Sequence, residues 1–344
     1  MACVADSAGS AAISLQAAPE IVINELHVDP DVKTEQVEFI ELYNAGAQAV
    51  DLADWRLDGG VFFTFPAGTR LAVGAYLIVT QHPDDAKAKW ATLRQAANSS
   101  RVLGPLGGKL DNEGDRVILC DAAGQIVDEV DYQLGFPWPT VGDPMSGSIA
   151  GMGGSMQLIN PTLDNDLGGS WRSALPTPLA ANNAVLSTSV PPQVRQVQHS
   201  PKQPASNEPV TITAKVTDPD GILSVTLMYQ VVLPGAYVTR LDPEYSANWV
   251  VAAMHDDGLE GDAVADDGVY TYEIPSSVQQ HRRLVRYKIV AMDSPGSLAF
   301  VPYDDDPQPN FAYFVYDGVP GWQGAVRSGQ TVVEYNAEVM RSLP

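Results

Sequence analysis

The stretch Glu38-Phe39-Ile40-Glu41-Leu42-Tyr43-Asn44-Ala45-Gly46 decides the fold of this chain. Successive side chains of a strand point to opposite faces, so Phe39 and Tyr43 lie on one face and Ile40 and Leu42 on the other. Because both faces carry large apolar residues, the stretch predicts a strand that is packed on both sides. A turn at 44–46, followed by an apolar pattern over 50–57, predicts that this strand forms a β-hairpin with the next one.

Outside this stretch, most of the chain also has strand character. Short runs rich in β-branched and aromatic residues are separated by Gly, Pro, Asn and Asp at intervals typical of antiparallel sheets. The exception is 83–97, where Pro83 precedes two acidic residues and Ala86, Trp90, Leu93 and Ala97 repeat at helical spacing. The sequence therefore predicts one helix in an otherwise all-β chain.

Composition limits the number of domains and the classes of partner that the protein can have. The 344 residues are enough for two or three domains, and 45% of them are hydrophobic, so each domain can bury a core. The formal net charge is −22, and phosphate backbones repel such a surface, so we expect no nucleic-acid partner. No apolar run reaches the length of a membrane-spanning helix, so we expect no membrane span.

Two cysteines are present, Cys3 and Cys120. Cys120 ends the apolar run 117–120, where a free thiol would act as a small hydrophobic side chain. A disulfide with Cys3 is the alternative, and the sequence leaves it open. Cys3 lies within 1–19, an Ala/Ser-rich segment without basic residues. We interpret this segment as a disordered leader rather than a signal peptide, or as the result of a start codon assigned inside a longer gene.

Several motifs of the first half resemble a known family. They are Ile21–Leu26, Phe39–Asn44, Leu52–Leu57, Phe65–Thr69, Leu110–Asp115 and Ser155–Leu158. In order and spacing these motifs resemble a bacterial lamin-tail domain. The resemblance implies an immunoglobulin-like β-sandwich over 20–185, but a shared fold does not fix a function.

A Ser/Thr/Pro-rich stretch at 186–192 is typical of a linker, and a second set of strands follows over 193–318. This second set resembles an immunoglobulin-like or fibronectin-III-like sandwich. The remaining residues, 319–344, are predicted to be a tail, with weak helical periodicity over 330–343. Its end resembles the lead-in to a spore-coat-H-type kinase domain, which implies that a catalytic domain could follow Pro344.

The strongest candidate for a metal site is an acidic loop between two predicted strands. Six carboxylates fall within twelve residues: Asp256, Asp257, Glu260, Asp262, Asp266 and Asp267. Calcium takes six to eight oxygen ligands in flexible geometry, so the loop is a candidate calcium site, although it lacks the EF-hand pattern. The alternative is a solvated turn whose Asp and Gly residues satisfy backbone groups.

Candidates for catalysis are weaker. Glu25, Glu38 and Glu41 lie on adjacent predicted strands, and two neighbouring carboxylates can act as acid and base. Exposed strand positions explain these glutamates more simply, and Glu38 and Glu41 fall on opposite faces of a strand. The five histidines form no pair at ligand spacing, and the serine-nucleophile and phosphate-loop patterns are incomplete. We therefore expect no catalytic residues. Core or end-plug positions are expected for Trp55, Trp90, Trp138 and Trp171, and Trp138 is the candidate for carbohydrate stacking.

The sequence thus predicts an all-β protein of two β-sandwiches in series, without enzymatic activity. We expect an extracellular or cell-surface region for binding, adhesion or scaffolding, whose partner is a protein or a cell-surface polysaccharide. The alternative is the accessory front end of a longer secreted protein, spore-coat-H-type kinase-like or hydrolase, with its catalytic domain beyond Pro344. We do not expect a nuclear-lamina role, because no sustained coiled-coil heptads precede residue 20.

Overall fold

The fold is described from a computed structural model. It describes residues 21–32, 34–95, 98–141, 153–184, 190–304, 306, 308–318, 322–325 and 327–335. The predicted leader at 1–19 and most of the predicted linker lie outside these residues. The chain divides into two compact units, the first formed by 1–194 and 293–309 and the second by 195–292 and 310–344.

The first unit is built from short strands and one helix. The strands are β1 (Ile21–His27), β2 (Phe39–Asn44), β3 (Val50–Asp51), β4 (Arg56–Gly59), β5 (Val61–Thr64), β6 (Arg70–Leu71), β7 (Tyr76–Thr80), β8 (Val102–Leu103), β9 (Gly107–Gly108), β10 (Gly114–Cys120), β11 (Ile126–Gln133), β12 (Ser155–Leu158) and β13 (Trp171–Ala174). The helix α1 spans Pro83–Lys89. Single turns of 3-10 helix occupy Ala91–Arg94, Ser99–Arg101 and Gly168–Ser170.

Two sheets face each other in this unit. One has the order β13-β12-β1-β2-β7-β8 and the other β11-β10-β4-β5-β9, while β3 and β6 form a small ribbon. The core between the sheets includes Ile40 and Leu42, and a second apolar cluster on the opposite face of β2 includes Phe39 and Trp90. The prediction that the 38–46 stretch packs on both sides is therefore confirmed.

Two local predictions for this unit are wrong. β2 pairs with β1 and β7, whereas β4 pairs with β10 and β5 in the other sheet, so 38–57 is not a hairpin. Alternation of apolar residues does not distinguish two strands of one sheet from two strands of facing sheets. The helix ends at Lys89 and continues only as a 3-10 turn to Arg94; Ala97 lies outside the described residues.

The segment 293–309, which the sequence analysis placed in the second sandwich, groups with the first unit. Tyr303 explains part of this grouping. Its hydroxyl donates to the carbonyl of Pro137 at 2.9 Å, and the Arg172 guanidinium lies 4.1 Å from the centre of its ring.

The second part of the chain forms further strands. They are β14 (Gln193–Ser200), β15 (Val210–Thr217), β16 (Ile222–Val232), β17 (Val250–Met254), β18 (Val269–Ile274), β19 (Leu284–Asp293), β20 (Leu298–Val301), β21 (Phe311–Phe314), β22 (Trp322–Gly324) and β23 (Val333–Tyr335). Short 3-10 turns occupy Pro243–Ser246 and Ser276–Val278. In the second unit one sheet has the order β14-β15-β18, and β17-β16-β19 forms another, with β21 also paired to β19.

Alternation of burial places the core of the second unit. On β15, Val210, Ile212, Ala214 and Val216 are buried while their neighbours are partly exposed. The all-β prediction is thus confirmed. In the tail, β22 and β23 form an antiparallel ribbon, so the weak helical periodicity did not predict the structure at 333–335; 336–344 lie outside the described residues.

Candidate functional site

The acidic loop joins β17 to β18, and its carboxylates bond to backbone N–H groups of the loop itself. Asp256 accepts from the N–H of Asp267 at 3.1 Å and of Gly268 at 2.7 Å, which closes the base of the loop. Asp262 accepts from Gly258 N–H at 2.6 Å. Asp257 and Asp267 each accept from the N–H two residues further on, at 3.0 and 2.8 Å. These are the bonds expected of the solvated-turn interpretation.

The same bonds bear on the calcium prediction. A calcium ion needs several carboxylate oxygens directed at one point. In the described part of the chain, no group of three or more His, Cys, Asp or Glu side chains is arranged to hold a metal. The structure therefore does not gather the six predicted ligands, Asp256, Asp257, Glu260, Asp262, Asp266 and Asp267, around one position. Calcium binding at the loop stays a prediction.

Two clefts lie beside this loop. One, of about 450 Å³, is lined by residues including His255, Asp257, Glu260 and Glu273. The other, of about 420 Å³, is lined by Ala253 and Met254 at the end of β17 and by Asp256, Asp257 and Asp266 of the loop. Partial burial, together with the charges of Asp256 and Asp266, raises the pKa of Tyr270 in the second cleft. The clefts therefore suit a positively charged group.

A second polar cluster is buried in the first unit, on β1 and β2. Glu25 and Glu41 are register partners in the β1–β2 ladder, and neither is exposed. The expectation of exposed strand positions is therefore wrong. Glu25 accepts from Ser155 Oγ at 2.5 Å and from the N–H and hydroxyl of Thr177 at 2.9 and 3.0 Å. Glu41 accepts from Asn24 Nδ2 at 2.9 Å and from the N–H of Leu179 at 2.6 Å.

These bonds fix the segment that follows β13. Asn182 adds to them, since its Nδ2 donates to the carbonyls of Asn24 and Leu158, both at 2.9 Å. Burial raises the pKa of Glu25 and Glu41, and the charge of Glu25 raises that of Glu41 further. All four carboxylate oxygens accept bonds from the protein itself, so the pair is suited to hold 175–182 against the sheet rather than to meet a substrate.

Two other buried acids have similar roles. Asp128 accepts from the N–H of Ile23 at 2.6 Å, beside the irregularity in β1, and from Asn165 Nδ2 at 2.8 Å. Glu38 accepts from the N–H of Leu110 at 3.1 Å. Burial raises the pKa of each to about 7. The sequence offered no signal for these contacts, because every partner lies on another element far along the chain.

His27 is also buried, and burial lowers its pKa to about 4. Its neutral ring lies with Nδ1 3.3 Å from the carbonyl of Gly154, and it packs against Phe39 and Trp90 at centroid distances of 5.4 and 5.6 Å. These contacts place His27 in the apolar cluster under α1. It is therefore a packing residue and not a ligand.

Trp138, the candidate for carbohydrate stacking, is also in the core. Its side chain is buried and lies 6.3 Å from the ring of Trp171. A sugar could not stack on it without opening the core, so this expectation is wrong. The expectation of core positions is confirmed for Trp90, Trp138 and Trp171, whereas Trp55 is partly buried and packs against the core of the first unit.

Cys120 is disulfide-bonded, which corrects the interpretation of this residue as a free thiol. Its side chain is completely buried at the end of β10. The sequence contains one other cysteine, Cys3, which lies outside the described residues.

Comparison with known proteins supports the resemblance of part of the first unit to a lamin-tail domain. Residues 14–133 match the family model described as the Lamin Tail Domain. Together with the two facing sheets, this match confirms the lamin-tail resemblance, with its immunoglobulin-like fold, for that part of the chain. The resemblances of the second unit and of the tail stay predictions. No curated protein matches the sequence.

Two solved structures show weaker likeness. Trypsin-activated alpha-2-macroglobulin from Escherichia coli is 11% identical, with a TM-score of 0.27, over 92% of this chain and 24% of that one. A calcium-stabilized adhesin with which an Antarctic bacterium binds ice is 9% identical, with a TM-score of 0.21, over 89% of this chain and 76% of that one. The chain thus spans about a quarter of the macroglobulin chain. TM-scores this low do not establish a shared fold.

Among the residues that the structure describes, no helix has the length and apolar character needed to cross a membrane.

Proposed function

We propose that this chain is a non-enzymatic binding or scaffolding region that works outside the cytoplasm, with a protein or a cell-surface polysaccharide as its partner. The observation that carries the proposal is the use of the buried carboxylates of the first unit. Glu25, Glu41 and Asp128 accept hydrogen bonds from backbone and amide groups of distant segments. These groups hold loops on a sandwich, which is the chemistry of a stable display scaffold.

The extracytoplasmic location is supported by the disulfide of Cys120. Disulfides form and persist in oxidising compartments and are rare where thioredoxin and glutathione keep thiols reduced. A strongly acidic surface also favours partners that carry positive charge over nucleic acids and anionic membranes.

The proposal is tested with the purified 344-residue chain. Immobilised cell-envelope proteins and cell-surface polysaccharides are screened for retention of the chain, and heat-unfolded chain serves as the control. We expect saturable retention on at least one surface and no gel shift of DNA at low salt. Turnover of ATP, ester, glycoside or peptide substrates by this chain would contradict the proposal.

The accessory-module alternative rests on the resemblance of the tail to the lead-in of a spore-coat-H-type kinase. The reading frame beyond Pro344 tests it directly, since that alternative requires a catalytic domain there.

A further inference from the structure

β17 is an edge strand without the features that usually protect an edge. It pairs with β16 on one side, through Val225–Tyr229. Outside this ladder, none of the described backbone hydrogen bonds involves 250–254, and the next residue, His255, is bridged to Thr271 of β18. Its sequence, Val250-Val251-Ala252-Ala253-Met254, contains no charge and no proline, and Val250 and Val251 are 46% and 65% exposed. An open, apolar strand edge is a template for an added strand.

Other sheet edges in the chain differ from β17. β11, at the end of its sheet, carries Glu129 and Asp131. β14 carries Arg195, followed by Gln196 with φ 52°, a conformation that interrupts regular pairing. Edges with charges and irregular backbone resist the addition of a strand. The open edge of β17 is thus a local property of the second unit and is not shared by these two edges.

The chemistry at one end of β17 specifies what such a strand would contain. Ala253 and Met254 line the cleft of about 420 Å³ that Asp256, Asp257 and Asp266 also line. β18 occupies the same edge at His255, so an added strand beside Val250–Ala252 would end near Ala253, and a long side chain at its end would extend toward this cleft. A Lys or Arg at that position would meet three carboxylates.

We propose that β17 binds an extended segment of a partner protein as an additional antiparallel strand, with apolar residues beside Val250–Ala252 and a basic residue in the cleft of Asp256, Asp257 and Asp266. The inference rests on the proposed binding function and names the class of partner. A second copy of the chain fits less well. Its own residues 247–255 contain no Lys or Arg, and each copy carries a net charge of −22.

The probe is an acetylated, amidated eight-residue peptide that alternates Thr and Val and begins with two Lys. Its amino end faces the acidic loop when it pairs antiparallel to β17. Binding to the full chain is measured by fluorescence anisotropy at low and high salt. We expect saturable binding that weakens with salt, and at least tenfold weaker binding when Glu replaces Lys or when alternate peptide nitrogens are methylated.

Variants locate the site. The double variant Asp257→Asn, Asp266→Asn keeps an acceptor oxygen on each side chain and removes two negative charges. We expect it to bind the Lys peptide about tenfold more weakly. Val251→Lys places a cation on the strand and should weaken binding similarly. Asp84→Asn, at an aspartate in the first unit whose side chain is 88% exposed, is the matched control and should bind like the parent chain.

Three results would overturn the inference. They are no peptide binding, binding that is unaffected by methylation, and equal binding by the β17 variants. A concentration-dependent dimer that Val251→Lys abolishes would replace the peptide with a second copy and would also overturn it. If the chain is retained on a cell-surface partner while the peptide does not bind, the proposed function stands and only this site fails.

Discussion

Glu25 on β1 and Glu41 on β2 stand opposite each other in the ladder with both carboxylates buried. Burial raises the pKa of both groups, and the charge of Glu25 raises that of Glu41 further. Both oxygens of Glu41 accept from N–H donors, whereas Oε2 of Glu25 faces the hydroxyl of Thr177, which can accept as well as donate. At Glu25 the hydrogen bonds can therefore accommodate one donor atom, whereas at Glu41 they use two acceptor oxygens.

This difference in hydrogen bonding predicts unequal effects of two matched substitutions. Glu25→Gln keeps an acceptor for Ser155 and supplies an amide that can donate to Thr177, so we expect the free energy of unfolding at pH 7 to fall by less than about 1 kcal/mol. Glu41→Gln turns an amide N–H toward one of two donors and should cost about 1–3 kcal/mol. Urea unfolding followed by tryptophan fluorescence measures both. Equal losses, or a larger loss for Glu25→Gln, would contradict this account of the hydrogen bonds.

The acids with raised pKa also predict how stability depends on pH. The pKa of Asp128 and of Glu38 is about 7 in the folded chain and close to 4 when unfolded, so between these values the folded state binds more protons. The stabilisation is complete below about pH 4 and is lost as the pH rises through about 7. For Asp128 the shift corresponds to roughly 4 kcal/mol. We expect the first unit to be more stable at pH 5 than at pH 8, as measured by calorimetry.

Asp128 allows this pH dependence to be separated from the loss of a contact. Asp128→Asn keeps one oxygen for Ile23 and Asn165 but cannot ionise, so the difference between pH 5 and pH 8 should shrink. Asp128→Ala leaves the N–H of Ile23 unpaired inside the unit and should cost about 1–3 kcal/mol at both pH values. An unchanged pH profile in Asp128→Asn would show that other groups control it.

The alternating pattern at Ile40 and Leu42 predicted the core correctly because burial on a strand follows period two. The same pattern could not assign strands to sheets, which is why the predicted hairpin failed. The partners of Glu25 and Glu41 could not be predicted either. Thr177 and Leu179 lie 152 and 138 residues away along the chain, and their contacts arise only from the packing of the loop after β13.

In the acidic loop, two neighbouring aspartates should differ in their importance. Asp256 accepts two N–H bonds across the base of the loop, whereas Asp257 accepts one from Leu259 nearby. We expect Asp256→Ala to destabilise the second unit by about 1–3 kcal/mol and Asp257→Ala by less than about 1 kcal/mol, since the latter leaves an exposed N–H that water can satisfy. Thermal unfolding at pH 7 measures the difference. Equal losses would show that the cross-loop bonds are not what stabilises this loop.

Calcium gives a separate test of the same loop. If Asp256, Asp262 and Asp267 remain bonded to backbone N–H groups, millimolar calcium should release little heat and leave the unfolding temperature unchanged. If calcium binds, the ion must displace these bonds, and stability should rise with its concentration. Calorimetric titration of the full chain distinguishes the two interpretations, with magnesium as the control for non-specific screening of charge.

The disulfide of Cys120 predicts a measurable dependence on redox conditions. Cys120 is completely buried at the end of β10, so both the cross-link and the packing of its sulfur are lost in Cys120→Ser. We expect a loss of about 2–5 kcal/mol, and a similar loss when the parent chain is reduced under conditions that leave it folded. Thiol titration of the unreduced, unfolded chain should find no free thiol. The sequence has one other cysteine, Cys3. If the bond lies within one chain, Cys3→Ser should lose the same free energy of unfolding as Cys120→Ser. A change from dimer to monomer in Cys3→Ser would instead show that the bond joins two chains.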